Sequence, residues 1–249
     1  MNVRGFSAFL VIASLFAVDA FAVPASVIPA MAGLDKAYIP ALGLSGQPDQ
    51  QAKAKIAFVT FEGAWDSFQS TFAAQDGFDA EWKEDLERVD HAIQKAKKAL
   101  LDNSDGPTAH EALEAVRMAF LESRSRQKVP YFIDSLTLFH NSMEDLLNNK
   151  PARKMADWSV SERMGFSADL DVAIARWKKV KAMEGLLSAA ALPAKAEAVY
   201  RSQWQTIDSV MAATKSALDS GDEKAFTEKL GQLKPNFIKT FFLFGNFPQ

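Results

Sequence analysis

The chain contains three histidines and no cysteine, and two of the histidines stand in one repeated pattern: His110 with Glu114 in AHEALEAVR, and His140 with Glu144 in LTLFHNSMEDL. Residues four apart share a helical face, so each pair aims an imidazole and a carboxylate at a common spot. If both segments are helices joined by the short stretch around Gln127 to Val129, they run antiparallel. A turn centred near residue 127 then sets His110 level with Glu144 and Glu114 level with His140. Two imidazoles and two carboxylates brought together make a donor set for a transition metal such as Fe, Cu or Zn. The pattern differs from the Glu-x-x-His motif of di-metal bundles. Nor is it a H-E-x-x-H pair, because Glu114 stands where the second histidine would be.

Helical phase sharpens the expectation at about 100° per residue. His140 falls among Ile133, Leu136, Met143 and Leu147 and is expected to be buried, with Glu144 at the edge of that stripe. His110, Glu114 and Arg117 lie on one flank of a helix whose core direction is set by Ala109, Leu113, Val116 and Phe120. Glu184 keeps phase with Phe166, Leu170, Trp177 and Val180, which makes it the candidate for an extra ligand. Met118 and Met143 ride on the histidine-bearing helices. A thioether with an imidazole would suit copper or non-covalent haem, and haem ranks below a bare metal. The competing reading is a ligand-free interaction or structural protein, in which each buried histidine is held by a glutamate in an internal hydrogen-bond network. Arg117, Arg124, Arg126, Glu122 and Asp134 are expected as solvated ion pairs, and His91 as a surface residue.

The elements that must position these residues read as helix after helix. Apolar spacing marks one through Phe61, Trp65, Phe68 and Phe72 and another from Trp82 to Leu100. A third follows the turn Asp102 to Pro107, with Thr108 as the expected N-cap. A fourth begins near Pro130, a fifth is capped by Ser159 and runs to Leu187, a sixth opens at Pro193, and a seventh runs through Phe226, Leu230 and Phe237. Val89-Asp90 and Ala99-Leu100 are echoed by Ile207-Asp208 and Ala217-Leu218, and Trp65 by Trp177. The chain therefore reads as an all-α bundle of about seven helices, built as a degenerate duplication of a three-helix unit. Residues 23–50 include Pro24, Pro29, Pro40, Gly43, Gly46 and Pro48, and are expected to form an irregular strap before the bundle of residues 51–249. The aromatic tail from Phe237 to Phe247 is expected to close the bundle.

Residues 1–22 have Arg4, then an apolar stretch to Val18, then Ala20-Phe21-Ala22, the order of a secretory signal peptide. With no cysteine, an exported chain of this kind fits a periplasm. The 249 residues carry a net charge of −3, which offers no electrostatic basis for nucleic-acid binding. No later stretch has the length of a membrane span, so no stable membrane insertion is expected after cleavage. Absent cysteine excludes thiol chemistry, iron–sulfur clusters and covalent c-type haem. No G-x-S-x-G elbow, phosphate loop or dinucleotide fingerprint occurs. The expected partner is a metal ion or small ligand, and the set reads as a binding rather than a catalytic one.

Overall fold

The computed structural model describes residues 23–249 apart from 190, 191 and 193; the signal-like segment lies outside the described residues. These residues form eight α-helices and no strand: α1 (Val27–Ser45), α2 (Gln51–Phe72), α3 (Trp82–Lys97), α4 (Gly106–Arg126), α5 (Phe132–Asn148), α6 (Val160–Ala182), α7 (Ala194–Ser220) and α8 (Glu223–Phe242). None is long and apolar enough to cross a membrane. Seven expected helices are present in α2 to α8. The eighth is α1, which replaces the expected irregular strap.

Proline placement explains that correction. Pro29 lies in the first turn of α1, where the backbone N–H has no helical partner to lose. Pro40 lies in the interior, and its missing N–H frees the carbonyl of Lys36. The backbone N–H of Asn246, from the C-terminal tail, donates to that carbonyl at 2.8 Å. A helix that local signals forbid is thus completed from the far end of the chain. Asn246→Pro, which deletes this donor, is expected to cost about 1–2 kcal/mol in denaturant unfolding, whereas Asn246→Ala should be nearly neutral. Equal effects of the two would refute this account.

Other helix ends follow their chemistry. Ser159 and Glu162 form a capping box on α6, as expected. α4 begins earlier than expected: Asp105 is its N-cap, accepting from the N–H of Thr108 at 3.1 Å. Asp222 caps α8 in the same way, accepting from Ala225 at 3.0 Å. α6 ends at Ala182, short of the expected Leu187.

The helices close into two rings of four. α1 packs on α2 and α4, and α3 on α4 and α2; α5 packs on α6 and α8, and α7 on α8 and α6. The rings meet where α1 touches α8 and α4 touches α5. The contact pattern is the same in both rings, with α1 holding in one the position that α5 holds in the other. Trp65 and Trp177 are both fully buried, one in each ring. Trp65 Nε1 donates to Asp90 at 3.1 Å, while Asp208, the counterpart of Asp90, is taken by Lys181 at 2.6 Å. Even the surface grooves correspond, one of about 720 Å³ along Arg88, His91 and Lys95, the other of about 430 Å³ along Thr206, Ser209 and Ala213. His91 is exposed, as expected. The aromatic tail does close the molecule: Phe237, Phe241 and Phe244 are buried, and Phe244 packs on Phe132 and Tyr200.

Candidate functional site

α4 and α5 are consecutive, but each packs mainly on a partner within its own ring. They face one another across the junction and are bridged by long side chains. Arg117 Nη2 donates to His140 Nδ1 at 2.8 Å, and Asn141 Nδ2 lies 3.4 Å from Met118 Sδ. Further along, Arg124 Nε binds both oxygens of Asp134, at 2.9 and 3.1 Å. This register sets Arg117, rather than Glu114, opposite His140.

The two His/Glu pairs therefore flank an arginine. Arg117 is only 5% exposed, and the same Nη2 also pairs with Glu114. His110 Nε2 stands 3.8 Å from Glu114 Oε1, and His140 Nε2 stands 3.4 Å from Glu144 Oε1. From α8, Lys234 Nζ reaches Glu144 Oε1 at 2.8 Å. A chain of alternating partners results: His110, Glu114, Arg117, His140, Glu144, Lys234.

Hydrogen bonding assigns the ring protons. A guanidinium only donates, so His140 Nδ1 accepts and its proton sits on Nε2, facing Glu144. Burial, reinforced by the neighbouring Arg117 charge, pushes the His140 pKa down to about 3, so this ring is neutral at physiological pH. His110 Nδ1 lies 2.9 Å from the carbonyl of Leu42 and must donate to it, which leaves Nε2 bare in the neutral ring. Burial raises the Glu114 carboxyl above its ordinary value, against the opposing charge of Arg117.

Glu184 does not join this group. It lies past the end of α6 in a short 3₁₀ turn, is 41% exposed at its side chain, and pairs with Arg201. Phase placed it inward only while α6 was expected to continue to Leu187. Among the described residues, no three His, Asp or Glu side chains converge as metal ligands. The expectation of solvated ion pairs also fails for Arg117, Arg124 and Asp134, all of which are buried. They sit between the two rings, a surface that neither helix reveals alone.

His110, Arg117, His140 and Lys234 line a cavity of about 250 Å³ at the junction. Leu42, Gly43, Gly46 and Gln47 come from α1 and its end, His110 and Arg117 from α4, His140 from α5, and Lys234, Phe237, Ile238, Phe241 and Phe242 from α8. The glycines keep this wall thin. A Cβ on Gly46 would stand 3.1 Å from His110 Nδ1, and one on Gly43 would collide with the Phe242 ring. Arg117 Nε is buried without an acceptor. Lys234 was missed in the sequence, although a signal exists: the spacing that separates the caps Asp105 and Asp222 also separates Arg117 from Lys234. Comparison with family models, curated proteins and solved structures returned no match.

Proposed function

We propose that this chain is an exported helical-bundle binding protein, not an enzyme, and that the cavity between its two rings takes a small ligand. The observation that carries this reading is Arg117, a buried cation at the point where the His/Glu pairs would share a metal. A metal ion there would be repelled by the guanidinium. It would also have to displace the proton on His140 Nε2 and compete with Lys234 for Glu144. What remains is a mainly apolar cavity with a few convergent polar groups, the usual form of a small-molecule site. About 250 Å³ is below the roughly 300–1,000 Å³ of drug-sized sites, which leaves no room for haem. His140 Nδ1 is held by Arg117 and its Nε2 stands 3.4 Å from Glu144, which suits a wall better than a proton shuttle. Export is supported by the charged, apolar and small-residue order of residues 1–22.

A second reading is favoured by one detail. His110 holds its Nδ1–H on a backbone carbonyl, the arrangement that commonly orients an imidazole to bind a metal through Nε2, and Glu114 lies beside it. A single Fe, Cu or Zn ion would bind there.

Thermal unfolding of the mature protein with neutral, anionic and cationic fragments, and separately with Fe, Cu and Zn salts, tests both. The first reading expects at least one fragment class to raise the melting temperature, and Ile238→Trp, which fills the cavity mouth, to abolish the effect. It is lost if no class binds, or if Ile238→Trp binds equally well. The second expects retained metal by elemental analysis after dialysis, lost in His110→Ala but kept in His140→Ala.

A further inference from the structure

We propose a second ligand site, separate from the junction cavity: a hollow between α4, α5 and the end of α6 that takes a straight-chain carboxylate of medium length. Arg176 and Lys179 meet the carboxylate, and Leu121, Leu138 and Met183 hold the chain.

The sequence of α6 sets the rim. Arg176, Lys179 and Met183 stand at i, i+3 and i+7, so they share one flank of the helix end. That flank turns to α5, because Asp169, two turns earlier on the same side, accepts from Asn149 just past α5 at 3.0 Å. The three border a hollow of about 210 Å³, whose other walls come from Leu121 and Ser125 of α4, the Val129-Pro130 link and Leu138 of α5. None of its lining residues lines the junction cavity.

The cations at this rim are unmatched, unlike those at the junction. Among the described residues, no carboxylate stands within ion-pair distance of Arg176 or Lys179, while neighbouring Lys181 holds Asp208 and Glu184 is held by Arg201. Arg176 is half-buried and Lys179 exposed, so both can meet an entering ligand. Asp134 also borders the hollow, but Arg124 binds both its oxygens, at 2.9 and 3.1 Å. Behind that wall Tyr131 donates to Asp35. Counting all of these, Arg124, Arg176 and Lys179 face two carboxylates. One further negative charge restores the balance, and a second exceeds it.

Shape selects the rest of the ligand. Leu121, Val129, Pro130, Leu138 and Met183 present an aliphatic surface beneath the charged rim, the layout that fits an anionic head on an apolar tail. At roughly 30 Å³ for each water-sized group, about 210 Å³ has room for about seven heavy atoms, which is the tail of octanoate.

Calorimetric titration of the full mature protein with octanoate, butyrate, octanol and octylamine tests the site. Octanoate is expected to bind at least about tenfold more tightly than octanol or octylamine, the effect of one charge-assisted hydrogen bond. Each methylene beyond butyrate should add up to about fourfold. Replacing both rim cations, Arg176→Gln with Lys179→Gln, should fold normally and remove the preference over octanol. Leu138→Trp should block octanoate and Ile238→Trp should not. If octanol matches octanoate, or if the double variant binds octanoate like the parent, the cations do not select the ligand and the carboxylate assignment falls. Tightest binding of octylamine would make Asp134 the selecting group and overturn it as well. Equal binding of butyrate and octanoate would leave only attraction to surface charge. If nothing binds, or if Leu138→Trp binds octanoate like the parent, the hollow is not a site. Loss of octanoate in Ile238→Trp alone would move it to the junction cavity, so failure here and failure of the junction reading are told apart.

Discussion

Replacing Arg117 by methionine is expected to destabilise the protein by about 3–5 kcal/mol at neutral pH, the range for breaking a buried ion pair from one side. Methionine keeps much of the apolar stem, so the loss is chiefly electrostatic. Glu114, half-buried, is left without its counter-charge, and His140 Nδ1 without its donor. For a chain of this size about 1 kcal/mol corresponds to roughly 2–4 °C, so the melting temperature should fall by about 10 °C. Glu114→Gln added to Arg117→Met should restore most of the loss, since it removes the stranded charge. Arg201→Met provides the contrast. Arg201 pairs with Glu184 and Glu197 on the surface, and its removal should leave stability nearly unchanged. Chemical denaturation followed by circular dichroism would measure all of these. An Arg117→Met loss as small as that of Arg201→Met would mean that the alternating chain contributes nothing to folding.

The second large effect is a pair of opposing pH dependences. His140 is faced by Arg117 from α4, Glu144 from its own helix and Lys234 through that glutamate from α8. Its pKa falls from 6.5 to about 3 on folding, through burial and then the Arg117 charge. The unfolded chain therefore binds more protons across that interval. Stability contributed by the neutral ring is complete above about pH 6.5 and is lost on acidification, by up to about 5 kcal/mol.

Asp35 titrates in the opposite sense. Its carboxylate accepts from Tyr131 and lies near Arg124 and Asp134 in a second buried cluster between the rings. Burial outweighs the Arg124 charge and raises its pKa from 3.8 to about 6. Here the folded chain binds more protons, so stability falls as pH rises through that window, by about 3 kcal/mol. The parent protein should accordingly change little between about pH 4 and 6 from these two groups. Asp35→Asn should expose a steep acid loss. His140→Gln, whose amide oxygen can still accept from Arg117, should leave a chain that gains stability on acidification. Identical pH profiles for the two variants would exclude both assignments.

Much of the architecture was legible because helix formation is local. The 3.6-residue spacing in α2 to α8, the Ser159 capping box and the burial of Trp65 and Trp177 depend on neighbours within a few positions. So did the flank shared by His110, Glu114 and Arg117. The site itself was half legible. Its two histidines and two of its glutamates were found from their spacing. Its central cation was read as a surface charge, because phase on one helix cannot say whether the neighbouring surface is water or another ring.

By itself, then, the order of residues determined an all-α body, its helix boundaries to within a turn or so, and which side chains share a face. Tertiary structure decided three things: that α1 is a helix, that the helices close into two rings of four, and that Arg117 stands between the two His/Glu pairs. Each depends on groups far apart in sequence, the Asn246 amide on the Lys36 carbonyl, α8 against α1, and a guanidinium spanning the gap between α4 and α5. Periodicity carries no information about such distances, since it reports the direction of a side chain and not what stands opposite.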